Sequence, residues 1–261
     1  MIAVLGGTGT IGRHVVAELT ARGLPHRMLR RPDADLRDVD SLAAAMDGAD
    51  QLFLLAPHDP DQDALEANAV DAAVTAGVGR VVKVSGGAPA VGPNGPTATA
   101  VAHWRSEGRI EASGLRFAFL RPSFLMQNLA TMTPRMGLLP APMGRGPIAM
   151  VDAADVGAAA AAALEDVTAP DRAWHVTGPA GVTFRDVARA MGARYVDVPP
   201  RLAARALRRR GASDFEVDHT LRMAAYFATG ADGTPTDDVR RLTGRPPRTL
   251  HDHLSTRSTR P

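Results

Sequence analysis

The 261-residue sequence contains no cysteine, which excludes a disulfide framework, a thiolate nucleophile and any cysteine-ligated metal. Aromatic residues are few, at 4%, and lysine occurs once, at Lys83, so nearly every cationic side chain is arginine. That bias suits a high-GC bacterial genome more than it suits a function. No sign of charge dominates: the formal net charge is +2 and the basic residues are spread along the chain, leaving no electrostatic footprint for nucleic acid. No run reaches about 18 uninterrupted apolar residues, and no basic region followed by an apolar stretch opens the chain. The expectation is a cytoplasmic protein that engages neither nucleic acid nor membrane.

What is present is an ordinary globular composition, 45% hydrophobic and 22% charged, in a chain long enough for one large domain with an appendage. In the first half, short apolar runs alternate with helical patterns, the signature of parallel strands joined by crossover helices. "MIAVL", "HRMLR", "DQLFLLAP", "RVVKVSG" and "RFAFLRP" read as strands. Between them "TIGRHVVAELTARG", "DSLAAAMDG" (capped by Asp40 or Ser41), "DALEANAVDAAVTAGV" and "AVAHWRSEGRIEASG" read as helices. Beyond Ser123 the rhythm loosens: "LLPAPMGRGP" reads as a loop, "IAM" and "AWHVTG" as strands, "AADVGAAAAAALED" and a Thr183-capped "TFRDVARAMG" as helices, and residues 199–261 as mostly helical. The fold class expected is α/β, a Rossmann-type doubly wound parallel sheet with a smaller, mostly helical C-terminal substrate-covering region. Residues 1–135 form the nucleotide-binding domain and 136–261 the cover, with strands and helix from 145–180 rejoining the main sheet.

The first strand runs into "GGTGTIG". Gly7, Gly9 and Gly12 match G-x-G-x-x-G, and Gly6, Gly9 and Gly12 match G-x-x-G-x-x-G. Between a strand and a helix, such a turn lets the backbone approach a pyrophosphate while the helix presents unpaired N–H groups. An NAD enzyme usually ends its second strand in an acidic residue that holds the ribose hydroxyls. Here the strand ends in Arg30 and Arg31, which suit a phosphate on that ribose and predict NADPH as the cofactor.

These blocks, together with "DLRDVDSLAAAMDGADQLFLLAP", "NAVDAAVTAGVGRVVKVSG", "RIEASGLRFAFLRPSFLMQN", "VDAADV", "HVTGPAGVTFRDVA" and "LTGRPPRTL", resemble the NmrA-like branch of the atypical short-chain dehydrogenases/reductases over almost the whole chain. The resemblance implies that Gly6, Thr8, Gly9, Thr10, Ile11 and Gly12 wrap the pyrophosphate and that Arg30 meets the ribose phosphate. It implies further that Asp35 and Leu36 lie by the adenine, that Leu55, Ala56 and Pro57 line the ribose, and that Ser85, Gly86, Pro122, Ser123 and Phe124 flank the nicotinamide. The activity implied is an NADPH-dependent reduction of a quinone, ketone or similarly electrophilic small molecule.

The Tyr-x-x-x-Lys pair of typical short-chain dehydrogenases is missing. Placed against the family pattern, Thr99 stands at the tyrosine position and His103 at the lysine position, while Tyr195 and Tyr226 lie far down the chain. Either an activated acceptor is protonated by solvent or by His103, or the protein binds NADP(H) without turnover and reports redox state to a partner. Ser85 is a candidate donor to a substrate carbonyl, and His58, Phe124, Met126 and Gln127 are candidate substrate contacts. Each also has a plain structural reading, as a strand terminus, a loop residue or core filling. "LRRRG" at 207–211 reads as a solvated helix end or a docking site. His251 and His253, two apart on a helix, point to different faces and make a poor metal site, so no metal is expected. Monomer and homodimer both stay open.

Overall fold

The computed structural model describes residues 1–258. Its centre is a six-stranded, wholly parallel sheet built from β1 (Ile2–Leu5), β2 (His26–Leu29), β3 (Gln51–Leu54), β4 (Arg80–Val84), β5 (Arg116–Pro122) and β7 (Arg172–Val176), in the order β2-β1-β3-β4-β5-β7. The crossovers are α1 (Gly12–Ala21), α2 (Val39–Ala45), α3 (Gln62–Thr75), α4 (Ala98–Ala112) and, before β7, α5 (Ala153–Glu165). Parallel strands covered on both faces must be apolar on both, and the period of two sorts their side chains. Ile2, Val4, Phe53, Val82, Leu120 and Val176 pack with α1, α5 and α9 (Asp238–Thr243). Ala3, Leu5, Leu52, Leu54, Val81 and Phe119 pack with α2, α3 and α4. In α5 every residue from Ala153 to Leu164 is buried except Ala154, and its alanines let it lie close against α1.

A third cluster lies beyond β5. A 3-10 turn over Met126–Thr131 leads to β6 (Leu138–Ala141), which pairs in parallel with β8 (Arg194–Asp197) as a separate two-stranded sheet. Phe184 and Val187 of α6 (Phe184–Ala190) and Ala224 and Phe227 of α8 (Asp214–Ala228) join Met126 and Leu129 in its core. α7 (Pro200–Arg209) packs on α8, and α10 (Leu250–Ser258) ends the described chain. Among the described residues no helix is long and apolar enough to cross a membrane.

Three local expectations are corrected. The cap of α2 is Asp38, whose carboxylate accepts from Ser41 N at 3.0 Å; it holds the extended conformation a cap needs, while Asp40 and Ser41 already lie in the helix. The segment expected as a loop contains β6, where a proline is tolerated because each strand of a two-stranded sheet is an edge. "IAM" forms no strand; its Ile148 makes a single bridge to Val182, and Val151, just after it, a single bridge to Leu125.

α10 is fastened to the start of α5. Asp152 caps α5 through Ala154 N, and its second oxygen meets buried His253 Nδ1 at 2.6 Å. Arg248 binds Asp155 through its backbone N–H and its guanidinium. Burial raises the Asp152 pKa, but the His253 and Ala154 hydrogen bonds outweigh it and hold the group at about 2. Asp152→Ala removes a cap and strands a buried imidazole, so the urea midpoint should fall by the equivalent of about 3 kcal/mol at unchanged m-value.

Candidate active site

The strand order reverses at β1, with β2 on one side and β3 on the other, which makes the carboxyl end of β1 a topological switch point. The glycine turn occupies it. A Cβ on Gly6, at φ +82°, would stand 2.3 Å from Leu55 O, and one on Gly12 would stand 2.0 Å from Gly6 O. The turn therefore closes on itself and on β3 only with bare Cα atoms, and Gly9 N donates to Gly6 O at 3.1 Å. Ile11 precedes α1 with no side-chain cap and no acidic residue follows in the first turn; Arg13 N and His14 N turn back to Gly9 O and Ile11 O, so the positive end of the helix stands open to an anion with no side chain across it. Thr8, Gly9 and Thr10 are exposed above it.

Arg30 and Arg31 are exposed just past β2. Among the described residues Arg30 has no carboxylate partner; its guanidinium lies 3.5 Å from Met28 Sδ. Asp35 accepts from Arg37 N, and Leu36 O accepts from Asn68 Nδ2 at 2.9 Å, which ties this loop to α3. Leu55 and Ala56 are half-buried and Pro57 exposed at the end of β3.

Over the carboxyl ends of β4 and β5 lies a cavity of about 710 Å³. Ser85, Gly86, Pro122, Ser123 and Phe124 line it at the sheet, His58, Thr99 and His103 on one side, and Leu207, His219, Tyr226 and Phe227 from α7 and α8 on another. Two expected substrate contacts are not there. Met126 is 1% exposed in the third core, and Gln127 spends its Oε1 accepting from Ala153 N at 2.9 Å, at the start of α5. Tyr226, distant in sequence, is carried to the cavity wall by α8; burial, then Asp232, pushes its pKa up to about 12. The "LRRRG" arginines divide, Arg208 pairing with Asp214 and Arg210 reaching the cavity rim.

Beneath the cavity is a charged cluster that sequence reasoning missed. Lys83 and Glu66, both with side chains at 0% exposure, are paired at 2.8 Å. Lys83 Nζ also donates to His103 Nδ1 at 3.0 Å, and Gln62 Nε2 lies 3.2 Å from Glu66 Oε1 and His103 Nε2. The available signal was a lysine inside the otherwise apolar strand "VVKV". Burial works against the Glu66 carboxylate, but Lys83 and His103 hold it far below the usual range. Burial, then Lys83, lowers the His103 pKa against the pull of Glu66, leaving a neutral imidazole. Its nitrogens are engaged inside the cluster, while its Cδ2 lies 3.0 Å from the place of a Cβ at Gly86, with Val91 Cγ2 at 3.1 Å, so a larger residue there would press on both. Nearby, Ser85 Oγ is buried with no hydrogen-bond partner among the described residues.

At the mouth, the His58 ring packs on His219 at 4.2 Å and on Phe215 at 4.8 Å, joining the loop after β3 to α8. Thr99 Oγ1 lies 3.4 Å from His58 Nδ1. Burial lowers both histidines, and His58 and His103 add to the effect on His219, which falls to about 4.

The NmrA-like family matches residues 1–197, and the chain belongs to it. It is 33% identical to an NAD(P)H azoreductase of Xenophilus azovorans, over 96% of this chain and 95% of the relative. Its fold is shared with an Escherichia coli NADPH-dependent quinone oxidoreductase solved with NADPH (TM-score 0.87, 22% identity, 99% and 100% of the two chains). It is shared also with the Citrobacter sp. triphenylmethane reductase solved with NADP(H) (TM-score 0.82, 19% identity, 98% and 99%).

Lys83→Met leaves Glu66 buried and unpaired and should cost about 4 kcal/mol in denaturant unfolding, whereas pairing it with Glu66→Leu should recover much of the loss. The depressed His219 pKa contributes stability that is present above the unfolded value of 6.5 and is lost as pH falls from there toward about 4. Thermal midpoints should accordingly drop from about pH 7 to about pH 4, and His219→Phe should flatten that slope.

Proposed function

We propose that the chain is an NADPH-dependent reductase that delivers hydride to a quinone, ketone or comparably electrophilic acceptor seated in the cavity. The observation that carries this reading is the row along one sheet edge: the glycine turn after β1, Leu55 after β3, Ser85 and Gly86 after β4, and Ser123 after β5. The cavity lies over the last of these. The residues fit a phosphorylated dinucleotide, because Gly6 and Gly12 leave no room for Cβ atoms, the start of α1 is uncapped and Arg30 has no carboxylate partner among the described residues.

On this reading Gly6 and the Thr8–Gly12 main chain bind the pyrophosphate, and Arg30, with Arg31 beside it, takes the ribose phosphate. Asp35 and Leu36 border the adenine, and Leu55, Ala56 and Pro57 the ribose. Ser85, Gly86, Pro122, Ser123 and Phe124 hold the nicotinamide end against the cavity. The cofactor supplies the hydride, and the protein supplies orientation and exclusion of water. His58 and Phe124 face the acceptor, and Ser85 Oγ offers its unused hydrogen bond there. His103, neutral and already accepting from Lys83, has no imidazolium proton to give near neutral pH and fits a role in shaping the Gly86 turn.

Calorimetric titration tests the cofactor. Arg30→Ala should weaken NADPH by about tenfold or more and leave NADH unchanged; equal affinity of the unaltered protein for the two cofactors would remove the assignment. Turnover is followed by the absorbance of the reduced cofactor with a panel of quinones, ketones and azo compounds. Tight binding with no turnover across the panel would point instead to a redox sensor acting on a protein partner.

A further inference from the structure

Hydride alone does not complete the reduction of a neutral acceptor; a proton must follow, and neither a Tyr-x-x-x-Lys pair nor a protonated His103 is present to give it. Ser123, at the end of β5, lines the cavity and is 3% exposed. Its Oγ donates to Asp232 Oδ2 at 2.6 Å, inside the fold. Asp232 is 2% exposed, and among the described residues its Oδ1 has no hydrogen bond but stands 3.4 Å from His175 Nε2. His175, on β7, forms no part of the cavity wall, and its side chain is 19% exposed. Its Nε2 is shielded toward Asp232, so the ring meets solvent by its other edge.

The geometry points to a proton relay from solvent through His175 and Asp232 to Ser123, which delivers the proton to the acceptor in the cavity. It rests on the reductase reading. The balance is simple for an azo acceptor reduced at the expense of NADPH. One nitrogen gains hydride and the π electron pair moves to the other, which takes the Ser123 hydroxyl proton. Ser123 Oγ recovers a proton from the Asp232 carboxyl group, which turns about its Cβ–Cγ bond after taking one from the His175 imidazolium. His175 is recharged from water, so one solvent proton is consumed per turnover. Ser123 is the group that meets the acceptor; Asp232, which also borders the cavity, and His175 act through it. The purely structural alternative is that Ser123–Asp232 only fastens the segment after α8 to the end of β5.

The two roles separate by choice of acceptor. A neutral azo compound builds up a strongly basic anion as hydride arrives, whereas a cationic triarylmethyl dye becomes neutral and needs no proton. With NADPH, His175→Ala and Asp232→Asn should lower the azo rate by about 100-fold and keep the triarylmethyl rate within about twofold. Added imidazole should restore part of the azo rate to His175→Ala. Without cofactor, the His175 ring resonances should shift in Asp232→Asn, as the carboxylate contact is altered. Equal loss with both acceptors, no loss with either, or unmoved His175 resonances would overturn the relay. An unaltered protein that binds NADPH and reduces the triarylmethyl dye but no neutral acceptor also overturns it and leaves the reductase reading standing. If it reduces neither, both fall.

Discussion

The buried ion pair between Lys83 and Glu66 is the constraint on which the site depends. It joins β4 to α3 with both side chains wholly out of water, and through His103 it reaches α4. Such a pair adds little net stability over an apolar replacement, because desolvation consumes most of the attraction. What it imposes is geometry. A charge with no solvent must keep its partner, so α3 and α4 are fixed relative to the strand whose next two residues, Ser85 and Gly86, form the end of the cavity. The His103 ring in turn crowds position 86, 3.0 Å from where a Cβ would stand.

Two different kinds of backbone access follow on one sheet edge. At the switch point, closeness is achieved by omission: no Cβ at Gly6 or Gly12, no cap on α1. Over β4 and β5, the opposite applies, since side chains from four separate stretches converge on a largely apolar space with a few polar groups left short of partners among the described residues. The first arrangement suits a ligand recognised by its phosphates, and the second suits one recognised by shape with a small number of directed hydrogen bonds.

Legibility in the sequence tracks the range of the interaction. The alternation of strand and helix, the glycine turn and the paired arginines are local, and each is readable because a few neighbouring residues determine it. β6 and β8 are not, since 138–141 and 194–197 carry weak patterns that acquire meaning only when paired. Met126 and Gln127 are misplaced by sequence reasoning because periodicity does not say which side of a chain turn faces a cavity. The contacts of Ser123 with Asp232 and of His253 with Asp152 span 109 and 101 residues, and Tyr226 reaches the cavity only by the docking of α8. Lys83 is visible but passes for codon usage, although a charge within a run of valines is itself a sign of a buried partner.

The burial of Lys83 has a practical side. It is the sole lysine of the chain, and its ammonium group has no exposure. Acylating reagents find no lysine side chain to modify on the folded surface. Modification of Lys83 instead registers opening of the central sheet, so the rate at which a probe of this kind reacts provides a built-in clock for that event.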